Sequence, residues 1–194
     1  MPATVNPSPP SVNVQPSDET YLIQQAQRSP AAFAELYRRH LDSVYRYLLA
    51  KVGNVQDAED LTSQTFLEAL ENLSRYRGSG AFRAWLFRIA RNKAVDHFRR
   101  RPALATDEAM EGVMDSAESP DDLAHHALAI AQISAKLRIL SPDRAEAVSL
   151  RLFGQLEAAE IADIMHKPES AVRMLIHRGI HDLQAQLSPT PQEK

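Results

Sequence analysis

Between Arg75 and Arg101 the chain carries nine Arg or Lys residues (Arg75, Arg77, Arg83, Arg88, Arg91, Lys93, Arg99, Arg100, Arg101) and a single acid, Asp96. Aromatic side chains are interleaved with these charges: Tyr76, Phe82, Trp85, Phe87 and Phe98. The chain as a whole has a net charge of −3, so this local excess reflects placement. Cations at this density bind a phosphate backbone. Aromatics among them add the capacity to stack on bases or wedge between them, which helps a protein that opens or traps single strands. The chemistry the segment offers is therefore recognition of nucleic-acid strands.

Other chemistries find less support. His177 and His181 have the i,i+4 spacing of metal ligands, but Asp182 is the only carboxylate beside them and no metal site is expected. His125 and His126 are adjacent and point to different sides of a helix. Asp57, Glu59 and Asp60 would be the acids of a metal-dependent nuclease, yet neighbouring carboxylates on one helix point around it, and no Lys or His stands at a catalytic spacing. There is no Cys, which excludes disulfides and thiolate metal sites and fits a reducing compartment. No cofactor and no covalent catalysis are expected.

Residues 1–17 contain five prolines and read as a disordered tail. From Pro30, Phe33, Leu36, Tyr37, His40, Leu41, Val44, Leu48 and Val52 recur every three or four positions, predicting an amphipathic helix that ends at Gly53-Asn54. A second helix over about 57–73 turns Thr62, Phe66, Ala69, Leu70 and Leu73 inward. It shows Asp57, Asp60, Gln64 and Glu71 on its other face, with no Lys or Arg at all. Gly78-Ser79-Gly80 centres a loop. The basic helix starts near Phe82, with Phe82, Trp85, Leu86 and Ile89 inward and Arg88, Arg91, Asn92, Val95 and Arg99 on another face. Trp85 and Phe82 are assigned to the core, whereas Tyr76 is either a loop anchor or a nucleic-acid contact.

Residues 102–122 hold seven acids and no base, an acidic linker directly behind the basic block. A second helical unit over 123–187 follows, with Leu128, Ala131, Leu137 and Leu140 as core candidates. Ser141-Pro142 reads as a cap followed by a proline at the first helical position. Helices are predicted to Phe153, over about 157–165 and over about 169–187. The last two form a helix-turn-helix, with His166-Lys167-Pro168 as the turn and Ile161, Ala162, Ala171, Val172 and Leu175 as its packing. The second of these helices offers Ser170, Arg173, Met174, His177 and Arg178 outward, as a major groove and its flanking phosphates require. No segment alternates with period two, so the fold class is all-α. No apolar run approaches the roughly 20 residues of a membrane span, and the N-terminus lacks the basic segment followed by an apolar one of a secretory signal; a cytoplasmic protein is expected. Residues 188–194 read as a tail, with no appended regulatory domain.

A strand-handling module followed by a duplex-reading one resembles the extracytoplasmic-function (ECF) sigma factors, small two-domain members of the main bacterial sigma superfamily. The matching text is Ala32-Phe33…Leu36-Tyr37, then Asp57-Ala58-Glu59-Asp60-Leu61-Thr62…Thr65-Phe66. It continues as Phe82-Arg83-Ala84-Trp85-Leu86-Phe87-Arg88-Ile89-Ala90-Arg91-Asn92…Asp96…Arg99, and ends with Glu160-Ile161-Ala162…Ala171-Val172-Arg173…His177-Arg178. The resemblance implies sigma region 2 over residues 18–101 and sigma region 4 over 123–187, and covers nearly everything from Pro30 to Leu187.

It implies that Asp57, Asp60, Gln64 and Phe66 dock on the β′ clamp of core RNA polymerase. Arg77, Ser79, Arg88, Arg91, Asn92, Lys93, Arg99 and Arg100 would act at the −10 element, with Asn92 and the loop 77–81 holding a flipped base. Ser170, Arg173, Met174, His177 and Arg178 would read the −35 duplex, and the second unit would touch the polymerase β flap. Promoter DNA and core polymerase are the implied partners, with an anti-sigma factor as a further one; membrane insertion is not implied. Three residues depart from the family pattern. Glu157 replaces a Ser or Thr N-cap and should weaken that helix start. His166 replaces a Gly in the turn, where a Cβ strains a left-handed backbone. Met174 stands where small or basic residues are commoner. The runner-up reading, a helix-turn-helix regulator that binds duplex DNA without polymerase, leaves the acidic helix and the Trp85–Asn92 block unexplained.

Overall fold

Every regular element among the described residues is helical: α-helices, and one 3-10 turn at Leu73–Arg75. The structure, a computed structural model, describes residues 18–78, 81–100 and 134–187. The tails at 1–17 and 188–194, the acidic linker, Ser79, Leu123, Leu128, Ala131, His125 and His126 lie outside them.

Helix α1 spans Asp18–Ala26, α2 Pro30–Val52, α3 Val55–Asn72 and α4 Phe82–Arg100. The C-terminal unit comprises α5 Pro142–Leu152, α6 Ala158–Met165 and α7 Glu169–Leu187. α1 has no counterpart among the expected elements. Its Ile23 and Ala26 are buried against the α2 core.

Local chemistry explains the breaks. Gly53 closes α2 in the left-handed region at φ 72°, and its N–H bonds the Leu49 carbonyl. Asn54 then caps α3 by accepting from the Asp57 N–H at 2.9 Å. Pro142 occupies the first turn of α5 as expected, but the Ser141 hydroxyl makes no capping bond. At the start of α6 the expected weakness is compensated. The Glu160 carboxylate accepts from the Glu157 N–H at 2.7 Å, the reciprocal half of a capping box. His166 sits at φ 54°, ψ 44°, the left-handed conformation anticipated for a position that favours glycine.

The first unit packs α2, α3 and α4 around Leu36, Val44, Leu48, Phe66, Phe82, Leu86 and Phe87, all buried. Leu70 departs from its expected inward place: it is 43% exposed. It shares that exposed surface with Leu67, because the helix core is filled by Ala58, Leu61, Phe66 and Ala69. The second unit buries Leu137, Leu140, Val148, Leu150, Ile161 and Val172. The two units share one core. Leu150, Leu156 and Ile161 belong to the same buried cluster as Phe87, and Ala50 of α2 packs with Leu137, Leu140 and Val148. No helix of the described residues is long and apolar enough to cross a membrane.

Candidate nucleic-acid interface

The helical period of α4 sorts its side chains. Phe82, Leu86, Phe87, Ile89, Ala90 and Ala94 are buried, and Trp85 is half-buried against Tyr76 and Phe82 at ring-centroid distances of 5.1 and 5.4 Å. Arg88, Asn92, Val95, Arg99 and Arg100 are exposed. With the core side anchored by six apolar residues, the polar ones are held on a rigid helix as a strip of cations around one amide.

Three cations of the expected set are engaged within the protein. Arg99, though exposed, has Nη2 3.2 Å from Asp96 Oδ1 one turn back along α4. Lys93 Nζ lies 2.6 Å from Glu68 of α3. Arg91, half-buried, points to the second unit, with Nε 3.4 Å from Glu146 Oε1 and no hydrogen bond completed at that nitrogen. Glu146 is 8% exposed and gathers further partners: Lys51 Nζ contacts Oε2, and the Tyr47 hydroxyl donates to Oε1 at 2.8 Å. Burial, followed by the charge of Glu146, pushes the Tyr47 phenol well above its ordinary range, so it donates and does not ionise. Arg83 Nη1 also bridges the units, donating to Gln155 Oε1 at 2.8 Å. Nothing in the local pattern of α4 signals the pairings of Lys93, Arg91 and Arg83, whose partners lie on other elements.

Beside the start of α4, a cleft of about 510 Å³ is lined by Gln24 and Gln27 of the α1 region and by Tyr76, Arg77, Gly78 and Phe82. This lies within the usual size of a small-ligand site. Gln27 Nε2 donates to the carbonyls of Leu73 (3.1 Å) and Tyr76 (2.8 Å), tying the loop's first residues to α1. Sequence reasoning misses the residues of α1; the spacing of Leu22, Ile23 and Ala26 is the signal available. Tyr76 packs edge-on against Phe82 at 5.8 Å, so the loop-anchor alternative describes its place here.

On α3, Asp60 and Gln64 are exposed and bonded to each other at 2.8 Å. Asp57 is partly covered, with Oδ2 3.6 Å from His97 Nε2 of α4. Phe66 departs from the docking face: it is 4% exposed and meets Tyr37 edge-on at 4.6 Å, because its position on α3 points into the α2–α3 seam.

In the helix-turn-helix, Ile161, Ala162 and Val172 are buried as its packing requires, while Ala171 and Leu175 are half-buried. Ser170, Arg173, Met174, His177 and Arg178 are all exposed on α7. Arg173 is held along the helix by Glu169, with Nε donating at 2.9 Å. Gly179 lies on the opposite side, where an added Cβ would meet Val148 Cγ2 at 2.5 Å, so α7 approaches α5 closely only with glycine there. Among the described residues no group of His, Asp or Glu is arranged to hold a metal ion.

Residues 36–103 match the Sigma-70 region 2 family and residues 130–183 the Sigma-70 region 4 family. The ECF RNA polymerase sigma factor SigE of Mycolicibacterium smegmatis is 33% identical over 183 residues, covering 90% of this chain and 71% of that protein. The chain belongs to the ECF RNA polymerase sigma factors. BldN of Streptomyces coelicolor, in the same family, is 39% identical over 173 residues; the match covers 87% of this sigma factor and 65% of BldN. The RNA polymerase sigma-H factor of Pseudomonas aeruginosa is 30% identical and covered over 95% of its length. In fold, this sigma factor is similar to CnrH in its complex with the cytosolic domain of CnrY (TM-score 0.67, 24% identity, 86% of this chain and 95% of that one). It is also similar to RpoE of Bartonella quintana in complex with the anti-sigma factor NepR (TM-score 0.63, 20% identity, 80% and 96%).

Proposed function

We propose that this sigma factor directs core RNA polymerase to specific promoters, and that residues 18–101 act at the −10 element while 123–187 act at the −35 element. The observation that carries this reading is the presence, in one chain, of two exposed recognition strips on rigid helices. The strip on α4 comprises Arg88, Asn92, Arg99 and Arg100, and that on α7 comprises Ser170, Arg173, Met174, His177 and Arg178. The first suits a melted strand: cations contact phosphates, while the Asn92 amide offers both a donor and an acceptor to an unpaired base. The cleft at Tyr76–Gly78 would receive the flipped base, whose unstacking costs a few kcal/mol that contacts in the cleft must return. The second strip suits a major groove.

The exposed Asp60 and Gln64, with the adjoining Asp57, form the face that would dock on the β′ clamp; Phe66 supports that face from inside. As a specificity subunit the protein performs no covalent step. Its net charge of −3 keeps the free chain a poor general DNA binder, and polymerase would supply the missing attraction. Linker residues 102–122 carry seven acids, which suit a basic channel in polymerase better than DNA. An anti-sigma factor would be its regulator: the structural relatives CnrH and RpoE are each seen in complex with a second protein, NepR being an anti-sigma factor.

The test is run-off transcription with core polymerase, with and without this protein, on fragmented DNA of the source organism. Discrete transcripts that depend on the protein are expected. Sequence-specific duplex binding without any protein-dependent transcript would favour the polymerase-independent regulator.

A further inference from the structure

We propose that Glu146 is an ionic latch that closes the C-terminal unit onto α2 and α4 and withholds Arg91 from nucleic acid in the free protein. Three side chains of the first unit converge on this one carboxylate: Tyr47, Lys51 and Arg91. Two cations around one anion are also the arrangement that a phosphate draws. Glu146 thus stands, within the protein, where a strand's phosphate would have to sit to engage Arg91 and Lys51.

The closure extends beyond the ionic cluster. Arg83 meets Gln155, and the chain at Gly154 passes so near Phe87 that an added Cβ would come within 3.2 Å of Phe87 Cδ1. The −35 strip on α7 remains exposed in this arrangement, as do Arg88 and Asn92. The latch therefore removes a part of the −10 surface and fixes the spacing of the two units, both of which a promoter complex would need to change.

Loss of the Glu146 charge bears differently on the closed and the open form. In the closed form, removing the Glu146 charge leaves Lys51 and Arg91 as neighbouring, half-buried cations without their anion, a heavily penalised state. In the open form all three groups are hydrated and the same substitution costs little. Glu146→Gln keeps the side chain's shape and an acceptor for Tyr47, so it shifts the population towards the open form with the fold retained.

The consequence for promoters rests on the sigma-factor reading; the closure itself does not. The chain has no cysteine, so Arg83→Cys/Gln155→Cys supplies the only two thiols for a reducible bis-maleimide. Glu146→Gln and Glu146→Ala are each expected to lower intramolecular cross-linking at least about threefold. They should also raise affinity of the free full-length protein for labelled mixed-sequence single-stranded DNA about fivefold, as the binding-competent fraction grows. The cross-linked protein should lose that binding and regain it on reduction, a comparison that needs no change at Glu146. Unchanged cross-linking in both Glu146 variants, or equal DNA binding by locked and reduced protein, overturns the latch. If wild-type protein supports no transcription while both effects appear, the promoter reading fails and the latch stands.

Discussion

The Tyr47 hydroxyl, wholly buried in the first unit, donates at 2.8 Å to Glu146 Oε1 of the second, across a separation of 99 residues. A core tyrosine would ordinarily find its acceptor within its own unit. Here α2 carries its polar end to the boundary, and Lys51, one helical turn further on, reaches the other oxygen of the same carboxylate. The boundary between the units therefore combines the polar cluster at Glu146 with apolar packing, in which Phe87 joins Leu150, Leu156 and Ile161 and Ala50 meets Leu137, Leu140 and Val148. Such a boundary separates more readily than a wholly apolar one, because each of its charged groups is well hydrated once released.

Docking on polymerase is tested by separating two acids of one face. Asp60 is exposed and bonded along α3 to Gln64, whereas Asp57 is partly covered beside His97. Asp60→Lys is expected to abolish pull-down of core polymerase with the melting temperature nearly unchanged, within about 0.5 kcal/mol for a surface site. Asp57→Lys should also weaken docking, but with a measurable loss of stability, because it sets a cation against His97 on the α3–α4 seam. Retained pull-down by the Asp60→Lys protein would remove that acid from the docking face.

The −35 strip divides its labour between two arginines. Arg173 and Arg178 lie five positions apart on α7, about 140° around the helix, and so reach different parts of a groove. Arg173→Ala should relax preference at −35 bases by about 1–3 kcal/mol, and Arg178→Ala should weaken all sequences alike while lowering the salt slope. Because Glu169 already holds Arg173, Glu169→Ala is expected to alter affinity through Arg173 and to do nothing in the Arg173→Ala background. Identical losses on matched and scrambled sites for both arginine variants would refute this division.

Much of this architecture is legible from local periodicity. Leu36, Val44 and Leu48 of α2 and Ile161 and Val172 of the helix-turn-helix are buried as their spacing requires, and Gly53 ends α2 in the left-handed conformation expected of a terminal glycine. The misreadings share a cause. Phe66 and Leu70 are four residues apart, close enough to be assigned one face, yet α2 covers the first and leaves the second to solvent. Arg91 belongs to a basic run and reads with it, but its orientation depends on a carboxylate 55 positions away. Helix α1 escapes notice because it is short and follows a proline-rich stretch, and it gains its stability by packing Ile23 and Ala26 on α2. Contacts between distant segments leave no period in the sequence.

Acid should loosen the junction of α1, α2 and α4 through His40. This side chain is 2% exposed, bonded to Glu19 at 3.0 Å and packed with its ring tilted against Phe82 at a centroid distance of 5.4 Å. Burial pushes its pKa below the ordinary 6.5; Glu19 opposes that shift, while Arg83 and Arg39 reinforce it. The folded state thus binds fewer protons at this site than the unfolded chain. The stability it contributes is complete above pH 6.5 and is lost as pH falls towards the folded-state value. The slope for one proton is at most about 1.4 kcal/mol per pH unit. Urea midpoints measured from about pH 8 to about pH 5 should fall for the wild type and flatten for His40→Gln. An equal fall in both proteins would assign the acid sensitivity elsewhere.

Strand opening is expected to turn on Asn92. It lies one residue beyond Arg91 yet is exposed, whereas Arg91 is drawn to Glu146. The alternative, a local packing role, predicts a stability loss on substitution, and the exposure of the side chain argues against it. Asn92→Ala should leave polymerase docking and closed-complex binding intact, with the thermal midpoint unchanged. It should reduce permanganate-reactive thymines at the −10 region and lower transcript from linear templates. The lost pair of amide hydrogen bonds to an unpaired base corresponds to about 1–3 kcal/mol, or roughly tenfold to a hundredfold in open-complex occupancy where opening is limiting. A template carrying a pre-melted bubble should remain dependent on Asn92, because the amide supplies capture of the base and contributes little to separating the strands. Normal thymine reactivity in the Asn92→Ala complex, at wild-type stability, would exclude the residue from base capture and leave the Tyr76–Gly78 cleft to act without it.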